Sequence, residues 1–257
     1  MSGAASISLV RFIIIYLLLL IVIAIMKKSK INQTKLLLVA SIRMTLQLII
    51  AGFILTYIFE HPHPVFTVLY LASMITFAIH RVLSRNKELN TSFKIVIGFS
   101  LAFSGLGIVA YFVMAVVNQS IFYPQYTIPL SGMIIGNAMT GVNLGVKTFL
   151  ESISAEKPRI EALINFGAKP KDILLPFVNQ SLETALLPTL NNMVGMGIVS
   201  LPGMMTGQIL SGTIPTTAIL YQISIMIAIC TVVCLSVFGS LYLGYRTLYN
   251  ERNQFLF

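Results

Sequence analysis

The sequence predicts an all-α fold, a polytopic helical bundle that crosses a membrane about seven times, with the N-terminus outside and the C-terminus in the cytoplasm. Three observations predict this fold. The 257-residue chain is 56% hydrophobic and only 10% charged, whereas soluble domains carry about 25% charged residues. Its apolar residues form runs that are long enough to cross a bilayer as helices. Its basic residues cluster in alternate connections between these runs.

Seven apolar segments are each long enough for a helix of about 20 residues to cross the hydrocarbon core. They comprise residues 7–26, 36–58, 65–83, 93–117, 127–146, 182–210 and 215–243. The first differs from a cleavable signal sequence, because it is long and its lysines follow the apolar run. We therefore expect one membrane domain over residues 1–257, whose longest connection covers about residues 147–181.

Basic residues mark every second connection. They accompany the first, third, fifth and seventh segments, in the stretches 27–35, 81–94, 147–171 and 246–252. Neither Lys nor Arg occurs in the connections 60–64, 118–126 and 211–215. Because Lys and Arg are retained on the cytoplasmic side, this alternation predicts the orientation given above. Arg11 and Arg43 are exceptions, since they fall within apolar segments.

Several classes of function lack support in the sequence. The net charge of +9 is confined to short clusters beside apolar runs, which is typical of orientation anchors and not of a nucleic-acid surface. Cys230 and Cys234 lie in an apolar run and have no zinc-ligand spacing. No cluster of His, Asp and Glu suggests a membrane enzyme. The phosphate-binding pattern G-x-x-x-x-G-K-[ST] is absent, so any ATP hydrolysis requires another chain.

The longest connection contains a charged, helix-forming stretch, EKPRIEALINFGAKPKDILLP at 156–176. Apolar residues at i, i+3 and i+4 from Ile160 predict an amphipathic helix. Gly167 is suited to the end of that helix, and Pro170 to the start of the next. We therefore predict two short amphipathic helices with a sharp bend on the cytoplasmic side. Their apolar faces require the membrane surface, the protein's own spans or the groove of a partner.

Ionisable and amide side chains within the spans are candidates for a transport pathway. Arg43 and Gln47 lie one turn apart on the second segment. A charge at that depth is costly and is by default a functional candidate, although a snorkelling or interhelical arginine is the alternative interpretation. Glu183, at the start of the sixth segment, has two candidate partners, Arg43 and a lysine of the charged stretch.

The sixth segment contains an unusual number of helix-breaking residues, including Pro188, Gly195 and Gly197. Backbone groups freed by a break must be covered by protein or by a water-filled cavity, and broken helices form substrate sites in transporters. Close packing through small residues is the alternative for the glycines. The predicted pathway and break residues here and in the fifth segment are Asn137, Asn191, Asn192, Pro202 and Gly203.

Metal ligands are weakly indicated. Six methionines surround these motifs, namely Met133, Met139, Met193, Met196, Met204 and Met205. Thioethers favour soft ions such as Cu(I), but methionine is also an ordinary filler of irregular cores. Cys230 and Cys234 share a helix face, and His61 and His63 follow Glu60 in an outer loop. A dedicated Fe(II) site would require carboxylates and imidazoles, so the residues alone do not predict iron.

Four motifs carry a resemblance to known families. Glu161-Ala162, followed by Gly167 and by Leu175-Pro176, resembles the coupling loop of ABC importer permeases, with a shorter second half. The other motifs are RMTLQLIIAG (43–52), IPLSGMIIGNAM (128–139) and GIVSLPGMMTGQILSG (197–212). Together they are similar to the iron-export ABC permease family (FetB-type), which also resembles plant permeases of aluminium tolerance. The resemblance covers residues 36 to 250.

The resemblance implies a permease subunit in a bacterial cell membrane that exports iron or a related metal. It implies two copies of this subunit, without ATPase activity of their own. ATP and Mg²⁺ would be bound by a separate ATPase subunit. The residues implied in contact with that subunit are Glu161, Ala162, Leu163, Gly167 and Pro170. Alternatives from the residues are a self-sufficient secondary transporter or channel, an integral-membrane enzyme and a membrane scaffold.

Overall fold

The structure, a computed structural model, describes residues 8–250. These residues form ten α-helices and contain no β-strand. The helices are α1 (Leu9–Ile14), α2 (Leu17–Lys28), α3 (Thr34–Glu60), α4 (Pro64–Arg85), α5 (Thr91–Tyr111), α6 (Pro124–Ala155), α7 (Lys157–Asn165), α8 (Pro170–Gly195), α9 (Gly203–Leu210) and α10 (Pro215–Gly244). A π-helical turn, Phe112–Val116, extends α5, and a 3₁₀ turn, Tyr245–Leu248, follows α10. The predicted all-α class is confirmed.

Four helical stretches of the described chain are long and apolar enough to cross a membrane. They are Thr34–Glu60, Pro64–Arg85, Thr91–Val116 and Pro215–Leu248, which contain the second, third, fourth and seventh predicted segments. The chain is therefore an integral, multi-pass membrane protein. The total of seven spans and the orientation stay predictions.

The other three predicted segments differ from single uniform spans. The first is divided into α1 and α2 around Ile15 and Tyr16. Residue 7, where this segment was predicted to begin, lies outside the described residues, and so does Arg252 near the C-terminus. The fifth lies within α6, which is 32 residues long and rich in small and polar side chains. The sixth is divided between the end of α8, a non-helical stretch and α9.

Helix α10 forms the centre of the bundle and packs against α5, α6, α8 and α9. Its approach to α6 is close because Gly141 and Gly145 face Val233 and Val237, and a β-carbon at either glycine would lie within 3 Å of a valine methyl group. Small residues permit such approaches between membrane helices, where van der Waals packing drives association. The α6–α10 contact therefore forms the rigid part of the bundle.

Hydroxyl groups join α10 to α5. Ser104 Oγ and Ser236 Oγ lie 2.7 Å apart and share a buried hydrogen bond. One turn along, a β-carbon at Gly239 would lie 2.8 Å from Ser100 Oγ. Interhelical hydrogen bonds of this kind add to packing where no water competes.

Helix α3 lies at the periphery. Among its side chains only Ile58 is buried, and most of the exposed side chains are apolar. A hydrogen bond between Tyr16 and Thr45 joins it to the turn between α1 and α2. An apolar helix without a buried stripe is typical of contact with lipid acyl chains.

The charged stretch differs in one respect from the predicted pair of short helices. The first helix, α7, ends as predicted at Gly167, which has φ +82°. The second begins at Pro170 but runs without interruption for 26 residues as α8. Apolar residues continue beyond the expected boundary near 182, and the helix passes through Pro176 and Pro188. Each proline removes one backbone hydrogen bond and crowds the carbonyl four residues earlier, but neither ends the helix.

Candidate functional site

The predicted break in the sixth segment is present between α8 and α9. Helix α8 ends at Gly195, and residues 196–202 are non-helical. Gly197 adopts φ +84°, and its N–H donates to the Ser200 carbonyl at 2.9 Å, which forms a tight turn. The tip of this turn is apolar and open, since Ile198 and Val199 are 91% and 86% exposed. Lipid offers no hydrogen-bond partners for such backbone, so this turn requires protein or water around it.

A cavity of about 310 Å³ lies beside the break, between α6, α8 and α10. It is lined by Met133, Asn137, Thr189, Asn192, Met196, Ser200, Pro202, Gly203, Met204, Gln222, Ile225, Met226 and Ile229. The structure therefore brings together seven of the predicted residues. These are Asn137, Asn192, Pro202, Gly203, Met133, Met196 and Met204.

A second cavity, of about 510 Å³, also borders the break. It contains the predicted Met193 and Met205, together with apolar residues of α10. Three side chains line both cavities, namely Met196, Gln222 and Met226. The two cavities therefore share a common wall of two thioethers and one amide.

Gln222 was not predicted as a site residue, although it is the most central polar group of the site. Its side chain is only 5% exposed, and Nε2 lies 3.8 Å from the Met196 sulfur. Its Oε1 atom has no hydrogen-bond partner among the described protein groups. The signal in the sequence was present, because Gln222 is the only amide within the apolar run of α10. Thr189, Ser200 and Met226 were also missed.

Four predicted pathway residues lie away from the cavities. Arg43 and Gln47 are exposed on α3, and the Arg43 guanidinium lies 5.7 Å from the ring centroid of Phe77 on α4. Glu183 is exposed on α8. In the described part of the chain the ion pairs are Lys147–Glu151 and Arg159–Glu156, so Glu183 is paired there neither with Arg43 nor with a lysine of the charged stretch. Arg43 reaches α4 and not α8. Asn191 is also exposed and does not line either cavity.

No group of three or more His, Cys, Asp or Glu side chains is placed to hold a metal within residues 8–250. Cys230 and Cys234 are free and half-buried on α10, and Met139 packs against the core outside the cavities. In the outer loop, His61 stacks on Tyr57, while His63 Nδ1 accepts a hydrogen bond from the Val65 N–H at the start of α4. These histidines therefore shape a turn.

The predicted coupling residues form an exposed helix and turn at the other end of α8. On α7, Ile160 faces the core, while Glu161, Ala162 and Leu163 are exposed. After α7, the Gly167 N–H donates to the Ile164 carbonyl at 2.8 Å and the Ala168 N–H to the Leu163 carbonyl at 3.0 Å. This pair of bonds around a left-handed glycine is a Schellman motif, which ends a helix sharply. Pro170 is buried at the start of α8 and shapes the turn from within.

The tip of this turn is an aromatic side chain. Phe166, which directly precedes Gly167, is 88% exposed. An ion pair between Arg159 and Glu156, at 3.5 Å, lies at the opposite end of α7. The coupling turn, which we define as residues 161–170, thus presents two large apolar groups, Phe166 and the less exposed Leu163, among polar ones.

Comparison with known proteins gives a family for the chain. It is 34% identical over 240 residues to the probable iron export permease protein FetB of Escherichia coli, covering 92% of this chain and 91% of that protein. It is 34% identical to the UPF0014 membrane protein slr1647 of Synechocystis, over 91% of both chains. It is 31% identical to ALUMINUM SENSITIVE 3 of Arabidopsis thaliana, over 82% of this chain and 77% of that protein. No solved structure matches.

The model of an uncharacterised protein family, UPF0014, matches residues 9–249. This match covers nearly the whole described chain and all of the helices that line the two cavities. The chain belongs to the UPF0014 family.

Proposed function

We propose that the chain is the membrane-spanning permease subunit of an ABC transporter that exports iron or a related metal, with energy from a separate ATPase subunit. The observation that carries this proposal is the position of α8. This single helix begins at the coupling turn and ends at the break beside the two cavities. Its 26 residues correspond to a rod about 39 Å long, enough to cross the hydrocarbon core.

Such a helix can transmit force between two surfaces. The exposed Phe166 and the neighbouring Glu161 and Ala162 form the contact with the ATPase. When ATP binding closes the ATPase subunits, they displace the coupling turn, and α8 carries this displacement to the break at Gly195. Two packings of the break against α10 would then correspond to the inward- and outward-facing states.

A second copy of the chain completes the pathway in this proposal. The apolar tip at Ile198 and Val199 and the non-helical backbone beside it need a protein surface or a water-filled space. Two copies whose breaks face each other would supply the protein surface and the water-filled space. The apolar tips would then be in contact, and the amide-bearing cavities would surround a central path. Metal as the substrate follows from the name of the E. coli relative.

Co-purification tests the contact with the ATPase. The tagged chain is extracted from membranes of its own host, and the bound ATPase subunit is quantified by mass spectrometry. Phe166→Asp should lower the recovered ATPase at least tenfold, because it replaces the apolar anchor by a charge. Ile31→Asp is the matched control, since Ile31 is also an exposed apolar residue in a connection predicted to be cytoplasmic.

Transport is measured in inside-out membrane vesicles with radioactive iron. We expect iron to accumulate only when ATP is present, to be reduced by Phe166→Asp and to be unchanged by Ile31→Asp. Iron movement that is independent of ATP, or an ATPase that binds both variants equally, would contradict the proposal.

A further inference from the structure

Sulfur atoms are concentrated around the two cavities. Six methionines line them, half of the 12 in the chain. They are Met133, Met193, Met196, Met204, Met205 and Met226. On α10 the series Gln222, Met226, Cys230 and Cys234 continues at four-residue intervals, which places four such groups along about 18 Å of one side of the helix.

The charge of the lining restricts which ligand the site can take. None of the described residues that line either cavity is ionisable. A bound cation therefore has no opposite charge to offset the loss of its hydration. Because the Born cost of transfer rises with the square of the charge, a divalent ion pays about four times the penalty of a monovalent ion of similar size. An uncharged lining thus favours a monovalent cation.

The donor atoms restrict the ligand further. Thioether sulfur is a soft ligand that selects Cu(I) among biological metal ions, whereas Na⁺, K⁺, Mg²⁺ and Mn²⁺ prefer oxygen. Methionine has three rotatable bonds, so sulfur atoms that line a cavity can converge on one ion. Filler methionines, in contrast, close the space around them, and these side chains border cavities of about 310 and 510 Å³.

Gln222 provides an independent sign of a ligand. Its amide is nine-tenths buried, lines both cavities and has an Oε1 atom without a partner among the described protein groups. Burial of an unpaired amide oxygen costs free energy. The amide nitrogen Nε2 lies 3.8 Å from the Met196 sulfur, so a cation held by that sulfur would lie within reach of the amide. A flip of the amide exchanges its O and N positions and would turn the oxygen towards the cation.

We propose that the two cavities form one binding site for a soft monovalent cation of the Cu(I) and Ag(I) class. Met196 and Met226 in the shared wall are its principal ligands, and the Gln222 amide oxygen faces the same ion. This inference goes beyond iron export, and it concerns binding to the chain by itself, so it does not depend on the contact with an ATPase.

Silver binding to the purified full-length chain tests the proposal, because Ag⁺ has the coordination preferences of Cu(I) and is stable in air. Isothermal titration calorimetry is done in detergent and in nitrate buffer, since chloride precipitates silver. Thiols also bind silver, so every protein carries Cys230→Ala and Cys234→Ala. We expect one Ag⁺ per chain and no saturable binding of Na⁺ or Mg²⁺.

The variant Met196→Leu/Met226→Leu should weaken Ag⁺ binding at least tenfold, while conserving side-chain volume. Its matched control is Met44→Leu/Met114→Leu, because both of these methionines are exposed away from the cavities. Equal Ag⁺ affinity in the two double variants would overturn the proposal and make the cavity methionines core filler. Circular dichroism verifies that each variant is folded.

A gain of affinity provides the second measurement, since misfolding cannot imitate it. Gln222→Glu keeps the shape of the side chain and adds a carboxylate beside the thioethers. We expect Ag⁺ to bind about tenfold more tightly to this variant at pH 8. An unchanged or weaker affinity in folded Gln222→Glu protein would overturn the placement of the ion beside Gln222. Competition of Mg²⁺ with Ag⁺ at equal concentration in the parent protein would overturn the selectivity.

Discussion

Gly141 of α6 lies against Val233 of α10 so closely that a β-carbon at position 141 would be 2.6 Å from Val233 Cγ1. Gly141→Ala should therefore force the two helices apart and destabilise the folded protein by about 1–3 kcal/mol, as overpacking of a core does. Thermal unfolding in detergent, followed by circular dichroism, measures the effect as a lower Tm.

Gly136→Ala, on the same helix, is the control for this prediction. A β-carbon there would have nothing within 4 Å, and alanine is the better helix former. We expect its Tm to equal or exceed that of the parent. A similar loss in both variants would mean that the steric contact of position 141 with Val233 does not determine the result.

The ends of helices were predictable from the sequence where a single residue favours a particular backbone conformation. Gly167 ends α7 and Pro170 begins α8 as expected, because the left-handed conformation and the first helical position favour these residue types strongly. The helix break near Gly195 and Pro202 was likewise predicted from composition. The length of α8 was not, because the second short helix and the sixth segment were expected as separate elements, whereas they join in one continuous helix.

The site was predictable only in part, because it depends on which helices meet. Asn137 and Asn192 stood out as amides in apolar segments, and they do line one cavity. Gln222 has the same property, but in α10 it looks like an isolated polar residue until α8 and the break are packed against it. Arg43 stood out as a charge within an apolar segment, with a snorkelling or interhelical role as the alternative. Its helix lies at the periphery, and sequence alone does not distinguish a peripheral apolar helix from a central one.

The hydrogen bond between Ser104 and Ser236 should contribute measurably to the α5–α10 contact. Each hydroxyl also contacts a carbonyl of its own helix, so the replacement of either serine by alanine leaves the other satisfied. A double-mutant cycle with Ser104→Ala and Ser236→Ala should give a coupling free energy of about 0.6 kcal/mol, the average for such bonds between membrane helices.

The control cycle combines Ser104→Ala with Ser224→Ala. Ser224 donates only to the Leu220 carbonyl of its own helix, so the two changes should be additive in thermal unfolding. Coupling of equal size in both cycles would show that the loss of hydroxyl groups, and not the 2.7 Å contact, determines the stability.

Arg43 should be coupled to Phe77 and not to Glu183. The guanidinium lies over the Phe77 ring, and an exposed cation–π contact contributes about 0.5–1 kcal/mol. A cycle with Arg43→Gln and Phe77→Leu should recover a coupling of that size from thermal unfolding. The parallel cycle with Arg43→Gln and Glu183→Gln should be additive to within about 0.3–0.5 kcal/mol. Strong coupling between Arg43 and Glu183 would contradict the placement of α3 beside α4.

Gly167 should be required for association with the ATPase through its backbone conformation. Its φ of +82° is unfavourable for side chains with a β-carbon, although a β-carbon would meet nothing within 4 Å. Asparagine tolerates this conformation and β-branched residues do not. We therefore expect Gly167→Asn to retain most of the co-purified ATPase and Gly167→Val to lose at least tenfold, because valine opens the Schellman turn and displaces Phe166.

Gly212 separates this effect from a general loss of stability. It also has positive φ, +99°, with nothing within 4 Å of a β-carbon, but it follows α9 in a connection predicted to lie outside. Gly212→Val should lower Tm about as much as Gly167→Val, since the backbone strain is alike, and should retain the ATPase. If Gly212→Val lost the ATPase as well, or if Gly167→Val retained it at a lower Tm, the coupling turn would be a structural element without a role in the contact.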